Sequence, residues 1–301
     1  MTDLAQPEQS PRLDIAMIGF GEAAEAFIEG WGIDGDRRVR AFDVKTDDPD
    51  QRTAMLARMA EAGVEGETSL AQALEGRSLV FSLVTADQAL AAASSAVLYL
   101  PKGALWLDGN SCSPDTKRAA AEAIERAHGR YVDVAVMAPV RPKLHRTPLL
   151  VSGPHAEAAL AALEPLGMIA SHAGEAVGQA SSIKMLRSVM VKGIEALSAE
   201  CVLAARRAGV EEAVLESLNA SDPAIDWRAR SAYNLERMMV HGVRRAAELR
   251  EVALTLRQLG LPDRMASAIA AWQEQIGTLG LESGADDLTD RADRLLAELD
   301  P

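Results

Sequence analysis

Leu13-Asp14-Ile15-Ala16-Met17-Ile18-Gly19-Phe20-Gly21-Glu22-Ala23-Ala24 is the stretch whose reading decides the fold. An apolar run ends at Gly19, and helical spacing takes over from Glu22 to Trp31. That pattern is a buried strand turning directly into a helix. The first glycine permits the tight turn. The second removes a side chain where a pyrophosphate would have to approach the backbone. Ala24, small like the usual third glycine, lets helix and strand pack closely, and the helix start aims unpaired amides at the phosphates. G-x-G-x-x-A alone is a weak signal; its place between a strand and a helix makes it a dinucleotide-binding fingerprint.

The same alternation continues outward. Strands are predicted at Val39–Phe42, Leu79–Val84, Ala104–Leu107, Tyr131–Val136 and Pro148–Val151. Helices are predicted at Gln51–Ala62, Asp87–Leu98 (capped by Thr85 or Asp87) and Pro114–His128. Regular alternation predicts an α/β Rossmann domain, a doubly wound parallel sheet. After Gly178 the texture changes. Ser181 to Ala208 is Ala/Leu/Val/Met-rich with a single Gly193, and all that follows has helical period, broken at Ser221–Pro223, Gly260–Pro262 and Gly277–Gly284. The expected organisation is a disordered leader (1–11), an NAD(P)-binding Rossmann domain (12–175) and an all-α substrate and dimerisation domain (176–301), joined by a long interdomain helix.

Composition narrows the function classes. The 301 residues carry 44 acids against 31 bases, a formal charge of −13, which argues against general nucleic-acid binding. Aromatics are only 4%, so the core must come from Leu, Val, Ile, Ala and Met. Two cysteines, Cys112 and Cys201, are too few for a disulfide framework, and no cluster has metal-ligand spacing, so no metal is expected. The first residues lack the charged and apolar regions of a signal peptide, and no apolar run reaches the roughly 18 residues that span a bilayer. A reducing, cytoplasmic setting with no membrane partner is the simpler expectation.

Candidate cofactor contacts follow from the turn: Gly19, Phe20, Gly21, Glu22 and Ala23. Asp43 stands at the end of the second strand, 24 residues after Gly19, where a carboxylate accepts the ribose hydroxyls of NAD and repels the 2′-phosphate of NADP. The competing reading is a strand-end Asp that caps a turn. Lys45, two residues on, would partly neutralise a 2′-phosphate. The expected cofactor is therefore NAD or NADP, leaning to NAD. Arg37, Arg38 and Arg40 are expected to be solvated. S-adenosylmethionine, the competing Rossmann ligand, would leave the later motifs unused.

Those later motifs resemble the β-hydroxyacid dehydrogenase family, which includes 3-hydroxyisobutyrate and 6-phosphogluconate dehydrogenases. Leu83-Val84-Thr85-Ala86-Asp87 resembles its loop over the cofactor, implying contacts from Val84 and Thr85. Asp108-Gly109-Asn110-Ser111-Cys112-Ser113-Pro114 resembles the D-x-S-T-x-x-P signature, which implies that Asn110 and Ser111 lie between nicotinamide and substrate, Asn110 touching both. Gly178 to Ser188 resembles G-x-x-x-x-x-K-x-x-x-N, with Lys184 in the catalytic place. Ser188 replaces the usual Asn, and Arg187 stands where phosphogluconate dehydrogenases have His. The D-A-P-V-S-G-G substrate loop falls at Asp133 to Pro139, where Met137-Ala138-Pro139 replaces Ser-Gly-Gly and Pro139 has no amide to offer. The stretch from His241 to Leu249 is unlike the usual helix and resembles a branch with its own C-terminal domain of unknown function.

The chemistry these residues imply is alcohol–carbonyl interconversion. A base must take the hydroxyl proton as hydride leaves the same carbon, and a lysine serves if its surroundings lower its pKa. Lys184 is the candidate, against the alternative of an ordinary exposed helix lysine. His241 is the rival acid/base, with His145 behind it. Arg187, Ser188, Arg244, His241 and Met137 are candidate substrate contacts; the alternative for Arg244 and Arg245 is a solvated basic turn. Trp227, Arg228 and Tyr233 read as pocket lining or as core, and Cys112 as a spectator. The predicted substrate is β-hydroxy acid-like, or a bulkier apolar or aromatic hydroxy compound. The alternatives are an imine reductase on the same fold, which would not need Lys184, and a nicotinamide nucleotide sensor without turnover. A homodimer is expected.

Overall fold

The computed structural model describes residues 13–32 and 37–299. The leader expected over residues 1–11 lies outside them.

The chain divides after Lys184 into two compact units. In the first, strands β1 (Leu13–Ile18), β2 (Arg37–Phe42), β3 (Glu65–Gly66), β4 (Leu79–Ser82), β5 (Leu105–Asp108), β6 (Arg130–Val136), β7 (Leu149–Ser152) and β8 (Ala170–Gly174) form one sheet. Its order is β3-β2-β1-β4-β5-β6-β7-β8. The helices are α1 (Glu22–Trp31), α2 (Pro49–Glu61), α3 (Leu70–Leu74), α4 (Ala89–Ala96), α5 (Pro114–Arg126) and α6 (Ala156–Leu163).

Both faces of the sheet are covered, as an α/β sheet with crossover helices requires. In β1, Ile15 and Met17 enter one core cluster while Ala16 and Ile18 enter the other. Helix α1 supplies the first cluster with Ala24, Phe27, Ile28 and Trp31, an i, i+3, i+4, i+7 stripe. Phe27, Trp31 and Phe81 of β4 form an aromatic triangle with centroids 5.4–6.5 Å apart. Helix α5 begins as its sequence dictates, with Pro114 at the first position and the Ser113 hydroxyl accepting the Thr116 amide.

Several local expectations are corrected. The strand expected through Val84 stops at Ser82, and the helix expected from Asp87 begins as a 3-10 turn at Ala86–Gln88, giving way to α4 at Ala89. The sheet is not parallel throughout: β7 runs antiparallel to β6. The connection between them holds only a 3-10 turn, Leu144–Arg146, and without a crossover helix the chain must return in the opposite direction. Arg40 is partly exposed and also pairs with Glu65 and Glu67 at 2.9 and 3.2 Å.

Helix α7 (Gln179–Arg207) runs across the division between the units. The second unit continues with α8 (Glu211–Ser221), α9 (Trp227–Gln258), α10 (Arg264–Thr278) and α11 (Leu288–Glu298). Its core gathers Leu203, Leu235, Met238, Leu249, Val252, Ile269, Ile276 and Leu295. Gly242 of α9 and Gly277 of α10 let those helices meet backbone to backbone. A charged cluster is buried beside that crossing. Arg245 pairs with Glu195, which also accepts from Gln273 at 3.1 Å, and Lys192 Nζ donates to Glu248 Oε2 at 2.6 Å. Among the described residues no helix is long and apolar enough to cross a membrane.

Candidate active site

The C-terminal ends of β1, β2, β4 and β5 are in register. Ile18 pairs with Phe42 and with Ser82, and Ser82 with Asp108. The chain reverses order between β1 and β4, and the crevice beyond such a switch point is where open α/β sheets bind ligands. The segments carrying the predicted cofactor residues of the first unit leave the sheet at this edge.

Gly19 adopts φ +88 and donates its amide to Phe42 O at 2.8 Å. A Cβ there would sit 2.6 Å from the Leu83 carbonyl oxygen, so glycine is required both by φ and by the approach of the neighbouring loop. Gly21, the N-cap of α1, has no atom within 4 Å of where its Cβ would be, so the helix start is open. Glu22 is exposed and Ala23 half-buried. Phe20 buries its ring completely and gives its amide to Asp43 Oδ2 at 2.8 Å. Asp43 Oδ1 accepts the Lys45 amide at 3.0 Å. Asp43 thus caps the turn after β2 and also ties that turn to the glycine loop. Each oxygen keeps a second lone pair, and the carboxylate is only half-buried. Lys45 is exposed.

Across the switch point, Val84 donates its amide to Asn110 Oδ1 at 2.7 Å. Asn110 Nδ2 donates to Ser82 Oγ at 3.0 Å, and its amide to Asp108 Oδ1 at 3.0 Å. Asn110 is therefore buried and fixed by three bonds, while Thr85 is exposed at the start of its 3-10 turn. Next to Asn110, the Ser111 hydroxyl accepts Lys184 Nζ at 2.6 Å, both residues half-buried. This contact joins two motifs that sequence alone could only place in order. Met137, half-buried, follows β6 and gives its amide to Pro148 O at 2.9 Å.

Arg187 and Ser188 follow Lys184 by one turn of α7 and belong to the second unit, as do His241 and Arg244 on α9. His241 is half-buried; Arg244 is exposed and paired with Glu248. Arg245 is buried and engaged by Glu195, so the reading of a solvated basic turn fails for it. Trp227 packs against the core of its unit and Tyr233 is exposed. Cys112 is buried. Among the described residues no group of three or more His, Cys, Asp or Glu could hold a metal ion.

Sequence reasoning missed a buried polar hub beneath this edge. Lys117 of α5 is completely buried, donating to Asp108 Oδ1 at 2.9 Å and Asp108 O at 2.5 Å, with Asp133 Oδ1 at 3.4 Å. Burial pulls its pKa down, but the carboxylates of Asp108 and Asp133 outweigh that and hold it above the ordinary lysine value. Tyr131 donates to Asp108 Oδ2 at 2.7 Å, and its phenol is pushed well above its ordinary value, first by burial and then by the two carboxylates. A signal existed. Lys117 shares the apolar face of α5 with Pro114, Ala120, Ala121 and Ile124, and a lysine at such a place demands buried acids.

Comparison with known proteins bears on the family and the fold. Residues 14–178 match the family described as the NAD binding domain of 6-phosphogluconate dehydrogenase, and residues 205–276 match a domain of unknown function, DUF1932. The chain belongs to that NAD-binding family, in the branch with a DUF1932 domain. A conserved hypothetical protein from Sinorhizobium meliloti 1021 is 39% identical, covering 97% of this chain and 98% of its own, with a TM-score of 0.78. A conserved protein of unknown function, described as structurally similar to 3-hydroxyacid dehydrogenases, is 31% identical over 91% of this chain and 100% of its own, TM-score 0.69. A 3-hydroxyisobutyrate dehydrogenase of Mycobacterium tuberculosis shares the fold at 16% identity, over 94% and 99% of the two chains, TM-score 0.74. The fold class is thus an eight-stranded, mostly parallel Rossmann-type sheet followed by an all-helical region, and the cofactor is a nicotinamide nucleotide.

Proposed function

We propose that the protein is a nicotinamide-dependent oxidoreductase that interconverts an alcohol and a carbonyl, with Lys184 as general acid/base. The observation that carries this reading is the 2.6 Å contact between Lys184 Nζ and Ser111 Oγ, beside an Asn110 fixed to the Val84 amide. An amine and a hydroxyl on converging segments at the cofactor edge are what a proton transfer to or from a substrate oxygen needs. The nicotinamide ring, when bound, supplies the hydride acceptor or donor. The residues that would hold the nucleotide are the open Gly21 turn for the pyrophosphate, Asp43 for the ribose hydroxyls, and Val84, Thr85 and Asn110 near the nicotinamide. Lys184 takes the hydroxyl proton in the oxidative direction and returns it in the reductive one. Ser111 orients the same oxygen.

Asp43 favours NAD over NADP, because its carboxylate would face a 2′-phosphate. Residues 12–175 form the nucleotide domain and 176–301 the substrate and dimerisation domain, with Met137, Arg187, Ser188, His241 and Arg244 as substrate contacts. Met137 and Pro139 diminish the amide nest that would hold a small hydroxy acid. The preferred substrate is therefore a bulkier hydroxy compound with an apolar or aromatic portion, its acidic end held by Arg187 or Arg244. The protein works as a cytoplasmic homodimer. The test is fluorescence titration with NADH and NADPH, followed by an alcohol and carbonyl panel. Binding without turnover of any member would overturn the enzyme reading in favour of a nucleotide sensor.

A further inference from the structure

Four side chains lie in one transverse row of the sheet. Ser82 of β4 pairs in register with Asp108 of β5, Asp108 with Asp133 of β6, and Asp133 with Ser152 of β7. All four are fully buried. Two carboxylates side by side on neighbouring strands repel one another, and burial makes the repulsion worse. The fold tolerates them because Lys117 sets a single ammonium between them, 2.9 Å from Asp108 Oδ1 and 3.4 Å from Asp133 Oδ1.

The two halves of the row hold different parts of the site. Ser82 and Asp108 fix Asn110, the residue before Ser111. Asp133 turns its other oxygen to the start of α7. Its Oδ2 accepts the Gly178 amide at 3.1 Å, the Ser181 amide at 3.0 Å, the Ser181 hydroxyl at 3.0 Å and the Ser152 hydroxyl at 3.1 Å. Ser152 Oγ in turn accepts the Ala180 amide at 2.9 Å. The first turn of the helix is thus anchored one turn before Lys184, and an anion at that end suits the helix dipole. Lys117 links the anchor of the loop bearing Ser111 to the anchor of the helix bearing Lys184.

We infer that Asp133, neutralised from behind by Lys117, is the positioning residue that sets Lys184 against Ser111. Its Oδ2 holds the Gly178 and Ser181 amides, so it acts through the helix start. The inference rests on the reading of Lys184 as the acid/base. The alternative is that the hub only stabilises the fold, and an apolar trio of similar volume would do that as well.

The experiment compares wild type with Asp133→Asn, which keeps the size and removes the charge, and with Ser181→Ala, which removes one donor and leaves the backbone amides. Each protein is labelled briefly with an amine-acetylating reagent, and mass spectrometry reads Lys184, exposed Lys102 and buried Lys117. The expected result for Asp133→Asn is Lys184 labelling raised severalfold relative to Lys102 while Lys117 stays protected. Its kcat should fall by up to about 100-fold, the order of effect of a misplaced catalytic group, with the KM for the nucleotide unchanged. Ser181→Ala should shift both readouts the same way by less, and it carries the test if Asp133→Asn does not fold. Wild-type labelling and kcat in the folded variants would overturn the inference. So would Lys117 and Lys184 becoming labelled together, which is what a purely structural role produces. Lys184→Met, run in parallel, separates the two readings. If it is fully active, the acid/base assignment falls. If it is inactive while Asp133→Asn is not, only the positioning role falls.

Discussion

Lys184 Nζ donates to Ser111 Oγ at 2.6 Å across 73 residues of chain. The two residues come from different supports, the second turn of α7 and the loop after β5. Their meeting therefore depends on how the edge of the sheet holds both supports, and the row from Ser82 to Ser152 does that holding. An amine against a hydroxyl is a contact that a substrate oxygen can join or replace by hydrogen bonding to both.

Replacing Lys184 by Met keeps most of the apolar stem and removes the amine. Turnover should fall by at least ~100-fold, the lower end for losing a positioned general acid or base. Nucleotide binding, read by fluorescence titration, should survive, because the glycine turn does not involve Lys184. Near-wild-type turnover would leave His241 as the leading acid/base candidate. Ser111→Ala should be milder, since one hydrogen bond is typically worth about 1 kcal/mol.

Asp43 has two tasks, and the variants can separate them. Its oxygens take the Phe20 and Lys45 amides at 2.8 and 3.0 Å, so Asp43→Ala loosens the glycine loop as well as removing the charge. Asp43→Asn retains an acceptor for one of those amides. Both variants should narrow the ratio of kcat/KM for NADH over NADPH, while only Asp43→Ala should weaken binding of both nucleotides substantially. A wild type that uses NADPH far better than NADH would transfer phosphate reading to Lys45 or a nearby arginine.

How much of this was legible depended on the range of the interaction. The glycine turn, the acid at the end of β2 and the alternation of strand and helix are local patterns, and each stands in the structure where its spacing puts it. The reversal of β7 was carried only by the absence of a helix between β6 and β7, a negative signal that alternation hides. Residues β3 and α3 (65–66 and 70–74) are too short to show any period. The hub was hidden because Asp133 reads as part of a substrate loop, whereas its register beside Asp108 turns it inward, and register is not a sequence property. Lys117 was the visible exception, a lysine in the apolar stripe of an amphipathic helix.

Alkaline pH should weaken the first unit through that hub. Tyr131 and Lys117 both have folded pKa values above their ordinary ones, 10.0 and 10.5, so the folded state holds these protons more tightly than the unfolded chain. Their stabilisation is fully present below those values and is lost as pH rises through the folded ones. Urea midpoints should decline above about pH 10 at constant m. Tyr131→Phe should lower stability at neutral pH by about 1–3 kcal/mol, because Asp108 Oδ2 loses its phenol donor, and should flatten the alkaline decline. An equally steep decline in Tyr131→Phe would remove the phenol from the account.

The crossing of α9 and α10 should tolerate no side chain at Gly242. A Cβ there would meet the Gln273 carbonyl oxygen and lie 2.8 Å from Gly277 Cα, and both obstacles are backbone. The helices would have to separate, disturbing the neighbouring Arg245–Glu195 pair. Gly242→Ala should therefore destabilise by about 1–3 kcal/mol despite alanine's better helix propensity. Gly193→Ala on α7 is the control, because its Cβ would meet only the end of the Ile269 side chain, at 3.3 Å. Equal midpoints for Gly242→Ala and wild type in denaturant would contradict the backbone contact.

The last expectation concerns assembly. The second unit leaves large apolar side chains exposed along two of its helices: Met190 (66%) and Leu197 (58%) on α7, and Tyr233 (49%), Val240 (50%) and Val243 (52%) on α9. Met190 and Leu197 are seven apart, as are Tyr233 and Val240, so each pair stays on one side of its helix over two turns. Scattered exposed apolar residues need no explanation, but aligned rows on long helices are costly to leave in water and suit a symmetric contact with the same rows of a second copy. Light scattering at micromolar concentration should then give twice the 32.0 kDa chain mass. Met190→Glu together with Val240→Glu should shift it to the mass of one chain, by placing like charges across a two-fold contact. Glycine-turn binding of the nucleotide should be retained, since those residues lie in the other unit. A wild-type mass of one chain would remove the dimer and leave these rows without a partner.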